Sequence, residues 1–340
     1  MVTMLFLIVT VFYDDFPGLE PRNTASHARI ATEAFLKVLG WTYADSDSKS
    51  LPYCAEFPPL GVSMSLGAFC NGRVDIGNKT ERVVDLLESV DAMIARDSSS
   101  PGELASLHGK MLFAISQTCG RAAVPAVRCI AQHLKVGGAA RNNKPLMKAL
   151  AYLKESLLSA SPRTISYLDE TRPVIVLSDA AAEAGSTTFA VFVVDTSTGK
   201  RSVAGGHIPQ RLVEWWHAMV GEQIIGQGEL FPIIAIRAYM GNRWTNRRVL
   251  FFIDNDSARD ALVKAYSPSL ASQNLVYAFY KCEMDHPCYP WFARVPSVSN
   301  IADLPARGEL QNAARLGKAE VFELGWSEDL LSALVHVQQP

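Results

Sequence analysis

The sequence predicts a mixed α/β protein of more than one domain, and three observations carry that reading. The 340 residues are enough for two or three domains, each with its own core. A content of 49% hydrophobic and 19% charged residues is a globular balance and excludes a disordered or fibrous chain. Short β-branched apolar runs at both ends flank a long stretch of purely helical periodicity. The formal net charge of −2 gives no sign of a nucleic-acid partner. Local charge says more: Arg121, Arg128, Lys135, Arg141, Lys144, Lys148 and Lys154 occur with no Asp or Glu between them. Such a stretch suits a phosphate backbone or an ordinary solvated helix face.

The opening "MVTMLFLIVTVFY" lacks an early Lys or Arg and a small-residue cleavage site, and it is too short to span a bilayer. It reads as a buried strand, and the expectation is a protein inside the cell, in cytoplasm or nucleus, not secreted and not membrane-bound. Asp14 and Asp15 end that run, and "FPGLEPR" follows as turn chemistry. Residues 24–39 place Ile30, Ala34, Phe35, Val38 and Leu39 on one helix face, and Gly40 stops it. "PPLGVSMSL" alternates like a strand, and Asn71-Gly72 is a hairpin signal. From 80 to 160 the periodicity is helical, with Ser100, Pro101 and Glu103 as cap, first helical residue and capping-box partner.

"SASPRTISYLDETRP" reads as a linker. Beyond it come the strand "VIVLSDA", two strands around a turn in "TTFAVFVVDTSTGKRSVAGGHI", the helix "EQIIGQGELFPIIAIRAYM" and the strand "RRVLFFIDND". Two helices, the strand "PWFARV" and a closing helix "NIADLPARGELQNAARL" complete the pattern. The expected division is 1–77, 78–160, a linker at 161–172, a domain at 173–318 and a tail at 319–340. Six scattered cysteines suit reduced thiols. Cys282, His286 and Cys288 lie close enough to suggest zinc, but a fourth ligand is missing.

Four acids share an odd placement. Asp179 and Asp254 end buried strands, Glu229 interrupts an apolar helix, and Asp303 opens the first turn of the last one. Each is costly to desolvate unless a cation neutralises it, although an Asp at a strand end is often only a cap or turn residue.

In this order, "SDA", "GEL", "IDND" and "NIAD" resemble the ribonuclease H fold, a mixed five-stranded sheet with helices. "RVPSVSNIADLPARG" is especially similar to the retroelement version. The resemblance implies that Asp179, Glu229, Asp254 and Asp303 are the catalytic carboxylates and hold two Mg²⁺ ions, with Mn²⁺ as a substitute. Such ions sit roughly 3.5–4 Å apart and serve hydrolysis of the RNA strand of an RNA–DNA hybrid. Many cellular members carry a His after the fifth strand; this chain has "ARVPSVSN", with Arg294. Arg243 and Arg247 in "RWTNRR" face the duplex or form an ordinary basic turn.

"FYDD" then resembles the aromatic-x-Asp-Asp hairpin of reverse transcriptases, making Asp14 and Asp15 metal ligands. "AFLKVLGW" with Lys49 looks like the next palm motif, "PPLGV" with Gly61 like the primer grip, and 78–160, with Arg121, like thumb and connection. The resemblance implies the C-terminal part of a reverse transcriptase–ribonuclease H polyprotein of a DIRS-like or related retroelement. Polymerisation is expected only with the fingers and palm region of the parent. Two other readings stand beside the enzyme: a non-catalytic nucleic-acid-binding remnant, and an integrase- or resolvase-like nuclease on the same fold.

Overall fold

The computed structural model of the protein describes residues 8–9, 18–43, 52–117, 121–136, 142–167, 172–183 and 186–335. The chain divides into two compact units, Met1–Thr80 with Pro162–Asp169 and Glu81–Ser161 with Glu170–Pro340.

In the first unit β1 (Ile8–Val9) pairs antiparallel with β2 (Gly18–Leu19), so part of the expected turn is a strand. Helix α1 (Ala25–Val38) follows, with Ala28 and Leu36 buried. A second, antiparallel sheet runs in the order β3 (Glu56–Phe57), β4 (Val62–Ser65), β5 (Arg73–Asn78), β6 (Arg163–Ser166). The link from β4 to β5 is longer than a two-residue hairpin turn. Its last residue, Gly72, has φ 77°, a left-handed conformation that side chains resist. Strand β6 corrects the linker reading of 161–172. Arg163 to Ser166 pair with Ile76 to Arg73, and the Thr164 hydroxyl donates to Asp75 Oδ1 at 2.6 Å. The bonds of β5 on that side, which would otherwise need solvent, explain why a Ser- and Pro-rich segment becomes a strand here.

The second unit opens with α2 (Thr80–Arg96), α3 (Pro101–Ala114), α4 (Val124–Val136) and α5 (Lys144–Ser159). The capping box forms as expected: Ser100 Oγ accepts from the Glu103 amide at 3.2 Å, and Glu103 accepts from the Ser100 amide at 2.9 Å. Leu86, Val90, Leu107, Met111, Ile130 and Leu150 close the core of this module.

The rest of the unit is built on one mixed sheet. Strands β7 (Val174–Glu183), β8 (Ser186–Asp195) and β9 (Lys200–His207) are antiparallel neighbours. On the other side of β7, β10 (Arg248–Ile253) and β11 (Tyr289–Arg294) add in parallel. Helix α6 (Gln210–Val220), which the sequence reading passed over, buries Leu212, Val213 and Trp216. Helix α7 (Ile225–Met240) is buried continuously from Gln227 to Arg237, between the sheet and α9 (Leu270–Asp285). Helix α8 (Asp256–Lys264) starts on an Asn255 cap. The expected closing helix is broken into α10 (Asp303–Ala306) and α11 (Leu310–Gly317), because Gly308 turns the chain at φ 89°. Both lie on the sheet face opposite α7.

The observed fold class is therefore the mixed α/β, ribonuclease H-like sheet the sequence predicts, with one addition. Residues 319–335, expected as a tail, supply β12 (Glu320–Val321), parallel to β9, and α12 (Glu328–Val335), packed on α6 and α9.

Candidate metal centre

Two parallel strands bring the first acids together. Leu177 of β7 pairs with Phe252 of β10, so Asp179 and Asp254 both stand two residues beyond that pair at the same end of the sheet. The apolar runs that feed them, Val174–Leu177 and Val249–Ile253, are core strands, which forces the acids to emerge at a buried edge. Glu229 reaches the same place from α7. One ligand oxygen from each of Asp179, Glu229 and Asp254 lies within 4.8 Å of the others. Asp179 and Glu229 are each only 5% exposed.

Asp303 joins from the other face. It is near enough to raise the proton affinity of Asp179, although the oxygens within 4.8 Å of one another come from the other three acids alone. Asn300 fixes this approach: its Nδ2 donates to the Ser178 carbonyl at 3.0 Å, and its Oδ1 accepts from the Ala302 amide at 3.2 Å. Arg307 Nε holds Asp303 Oδ1 at 2.9 Å. The Thr188 hydroxyl donates to the Ala306 carbonyl at 2.6 Å, docking α10 on β8. Asn300 and Arg307 were visible in the sequence as parts of a pattern; their positioning roles were not.

The electrostatics follow from crowding. Burial, then the Asp254 charge and, more weakly, Asp303, push Asp179 up to about 7. Burial, then Asp179 and Asp254, push Glu229 up to about 9. The Ala180 amide donates to both groups and offsets only part of this. Glu229 Oε2 and Asp254 Oδ1 are buried without a hydrogen-bond partner. Hard carboxylate oxygens, two of them orphaned, fit a hard divalent cation such as Mg²⁺ or Mn²⁺. Among the described residues this is the single such group of acids, histidines and cysteines.

The other expected site residues fare differently. Asp14, Asp15 and Lys49 lie outside the described residues. Gly61 sits in the first unit at φ 78°, ending a short 3₁₀ turn. Arg121 lies before α4, near the Tyr280 phenol of α9. Arg294 is at the acidic end: it pairs in register with Ile253, and its guanidinium is 3.6 Å from Asp256. Arg243 and Arg247, read from the sequence as facing the duplex or forming an ordinary basic turn, lie at the opposite end of the sheet from the carboxylates. Arg243 stacks over the Tyr239 ring and donates to backbone carbonyls of α7. Arg247 donates to Asp195 Oδ1 at 3.0 Å, beside the start of β7. Basic residues ahead of a strand enter at its first end, whereas the acids close its last.

Cys282, His286 and Cys288, for which the sequence offers no fourth zinc ligand, form no metal-binding group among the described residues. The segment is organised by the fully buried Arg237, whose Nε meets Glu283 Oε1 at 2.5 Å while its Nη atoms donate to the carbonyls of Gly241, Cys282 and His286. Cys288 donates its thiol to Glu283 at 3.3 Å. The pairing of Arg237 with Glu283 was hidden in the sequence by the distance between them.

No family model matches the chain, and no curated protein does. Solved structures do match. A ribonuclease H1 from the archaeon Halobacterium salinarum NRC-1 is 16% identical with a TM-score of 0.32, covering 42% of this chain and 99% of that one. LC11-RNase H1, solved with an RNA/DNA hybrid, is 15% identical with a TM-score of 0.28, over 41% and 98%. The foamy viral protease–reverse transcriptase, also solved with a hybrid, is 14% identical with a TM-score of 0.37, over 86% of this chain and 36% of that one. The matched part is thus about a third of the viral chain's length. No helix among the described residues is long and apolar enough to cross a membrane.

Proposed function

We propose that this chain is a divalent-metal nuclease that hydrolyses the RNA strand of RNA–DNA hybrids, with Asp179, Glu229, Asp254 and Asp303 as the metal-holding carboxylates. The observation that carries this reading is the meeting of Asp179, Glu229 and Asp254, spread along the chain, at one sheet edge with orphaned oxygens, with Asp303 close enough to act on Asp179. Two divalent cations held there would supply a water nucleophile at neutral pH and stabilise charge on the leaving oxygen.

The chain's own residues set the conditions for that chemistry. Asp179 is the central group, because Asp254 and Asp303 act on it and it acts in turn on Glu229. Burial of Glu229 on α7 makes the group hold its proton, so a cation that binds there takes the proton's place. Asn300 and Arg307 fix the direction from which Asp303 approaches. Arg294 stands at the same end, placed to meet a phosphate. The Cys- and His-bearing segment contributes no ligand, and the site is all oxygen, as a phosphodiester hydrolase using Mg²⁺ requires.

In the same reading the first unit corresponds to a partial reverse transcriptase palm with β4–β5 as a primer grip, and α2 to α5 to a thumb and connection. DNA synthesis would belong to a full-length parent of a DIRS-like or related retroelement. The decisive experiment compares wild type with Asp254→Asn on a labelled hybrid. Wild type should cut the RNA strand only with Mg²⁺ or Mn²⁺, and the variant should lose at least about 100-fold. Equal cutting by both would remove the site assignment. Salt-sensitive hybrid binding with no metal-dependent cleavage would mark a non-catalytic binding module, and preferential cutting of duplex DNA would mark an integrase-like nuclease.

A further inference from the structure

The segment that follows β12 does not leave the fold. The Phe322 amide donates to the Val203 carbonyl at 3.0 Å, and the chain then runs along α7 toward its N-terminal half. The Phe322 ring lies 5.6 Å from Tyr239, near the end of the helix. Leu324 is buried, and Trp326 packs edge-on against Phe231 at 5.3 Å and Phe189 at 5.6 Å. Phe231 and Phe189 also meet each other at 5.7 Å, so the three rings form one cluster between α7 and β8. These contacts grip α7 at two points more than two turns apart.

Phe231 is two residues from Glu229, which at 3.6 residues per turn places it about 200° around the helix. Trp326 therefore bears on the flank of α7 turned away from the carboxylates. A helix buried on all sides is held in rotation by what packs on its opposite flank. A rotation of about 10° at side-chain radius moves a carboxylate by about 1 Å. Displacements of that size at a reacting centre are costly in rate. Phe189 adds a second link: it pairs across the sheet with Ala180, the residue after Asp179.

We propose that residues 322–326 form a strap that sets the rotation of the Glu229 helix, with Trp326 as the positioning residue for Glu229. This rests on the reading of Glu229 as a metal ligand. The test uses the full chain and Mn²⁺ alone, with bound ion followed by electron paramagnetic resonance, alongside hybrid cleavage against Mg²⁺ concentration and thermal melting. Trp326→Ala should raise the Mn²⁺ concentration for half-saturation about tenfold, and the Mg²⁺ requirement for cleavage in parallel. Trp326→Phe, which keeps an aromatic face, should stay within about twofold. Leu150→Ala in the helical module should lower the melting temperature without shifting Mn²⁺ binding. Unchanged Mn²⁺ binding in Trp326→Ala, or an equal shift in Leu150→Ala, overturns the strap. If wild type binds Mn²⁺ but cuts no hybrid, the nuclease reading falls while binding still judges the strap. If Asp254→Asn binds Mn²⁺ like wild type, both fall.

Discussion

At the scale of single residues, the carboxylate cluster makes a prediction about protons. Burial and mutual repulsion raise Asp179 to about 7 and Glu229 to about 9 in the metal-free protein, above the ordinary range of either group. A raised folded value means the stabilising contribution is complete below about pH 4 and is lost as pH climbs through those two values. Metal-free protein should therefore melt lower at about pH 8.5 than at about pH 5.5, and Glu229→Gln should shrink that difference. A divalent ion competes with the same protons, so its affinity should rise across that interval. Calorimetry in two buffers of different ionisation enthalpy should record proton release on binding near pH 7. Gly317 offers a steric test. A Cβ there would lie 2.4 Å from the Phe192 ring, so Gly317→Ala should cost about 1–3 kcal/mol in denaturant unfolding by lifting α11 off β8. The grouping of Asp179, Glu229 and Asp254 was legible because an ionisable group closing or interrupting an apolar run has few uses. That Arg243 and Arg247 sit at the other end of the sheet follows from chain order, because they precede the strand that Asp254 closes, but their partners Tyr239 and Asp195 were not readable.

Elements announce themselves when their signal is local. The Ser100 capping box is complete within four residues, and it forms as the sequence predicts. Ser100→Ala should lower stability by about 1 kcal/mol, measured by urea denaturation. Strands β7 and β10 were readable as β-branched apolar runs closed by turn residues. Helix α7 was readable from its length, although it shows no polar face, because both of its sides are covered. What failed was information held elsewhere in the chain. Residues 163–166 become a strand only because β5 offers an edge. Residues 320–335 join the core only because β9 and the α6–α9 surface receive them, so nothing in their own pattern separates them from a loose terminus.

For the molecule as a whole, α9 is the junction. It packs on α7 and α12 on one side and on α4 and α5 on the other, which joins the helical module to the sheet in one compact unit. Lys148 Nζ donates to Asn274 Oδ1 at 3.0 Å across that junction. Leu150→Ala in the module and Phe251→Ala in the sheet should each cost about 2–5 kcal/mol and shift the same unfolding transition. Two separate transitions would show that the halves melt independently. The pairing of β5 with β6 bears on the order of events during synthesis. Their partners Ile76 and Arg163 are neighbours in space, yet the entire helical module is made between them. On the ribosome the first unit must wait, its last edge unsatisfied, until that excursion has emerged, so a nascent chain stalled before Arg163 would present β5 as a sticky border to other chains.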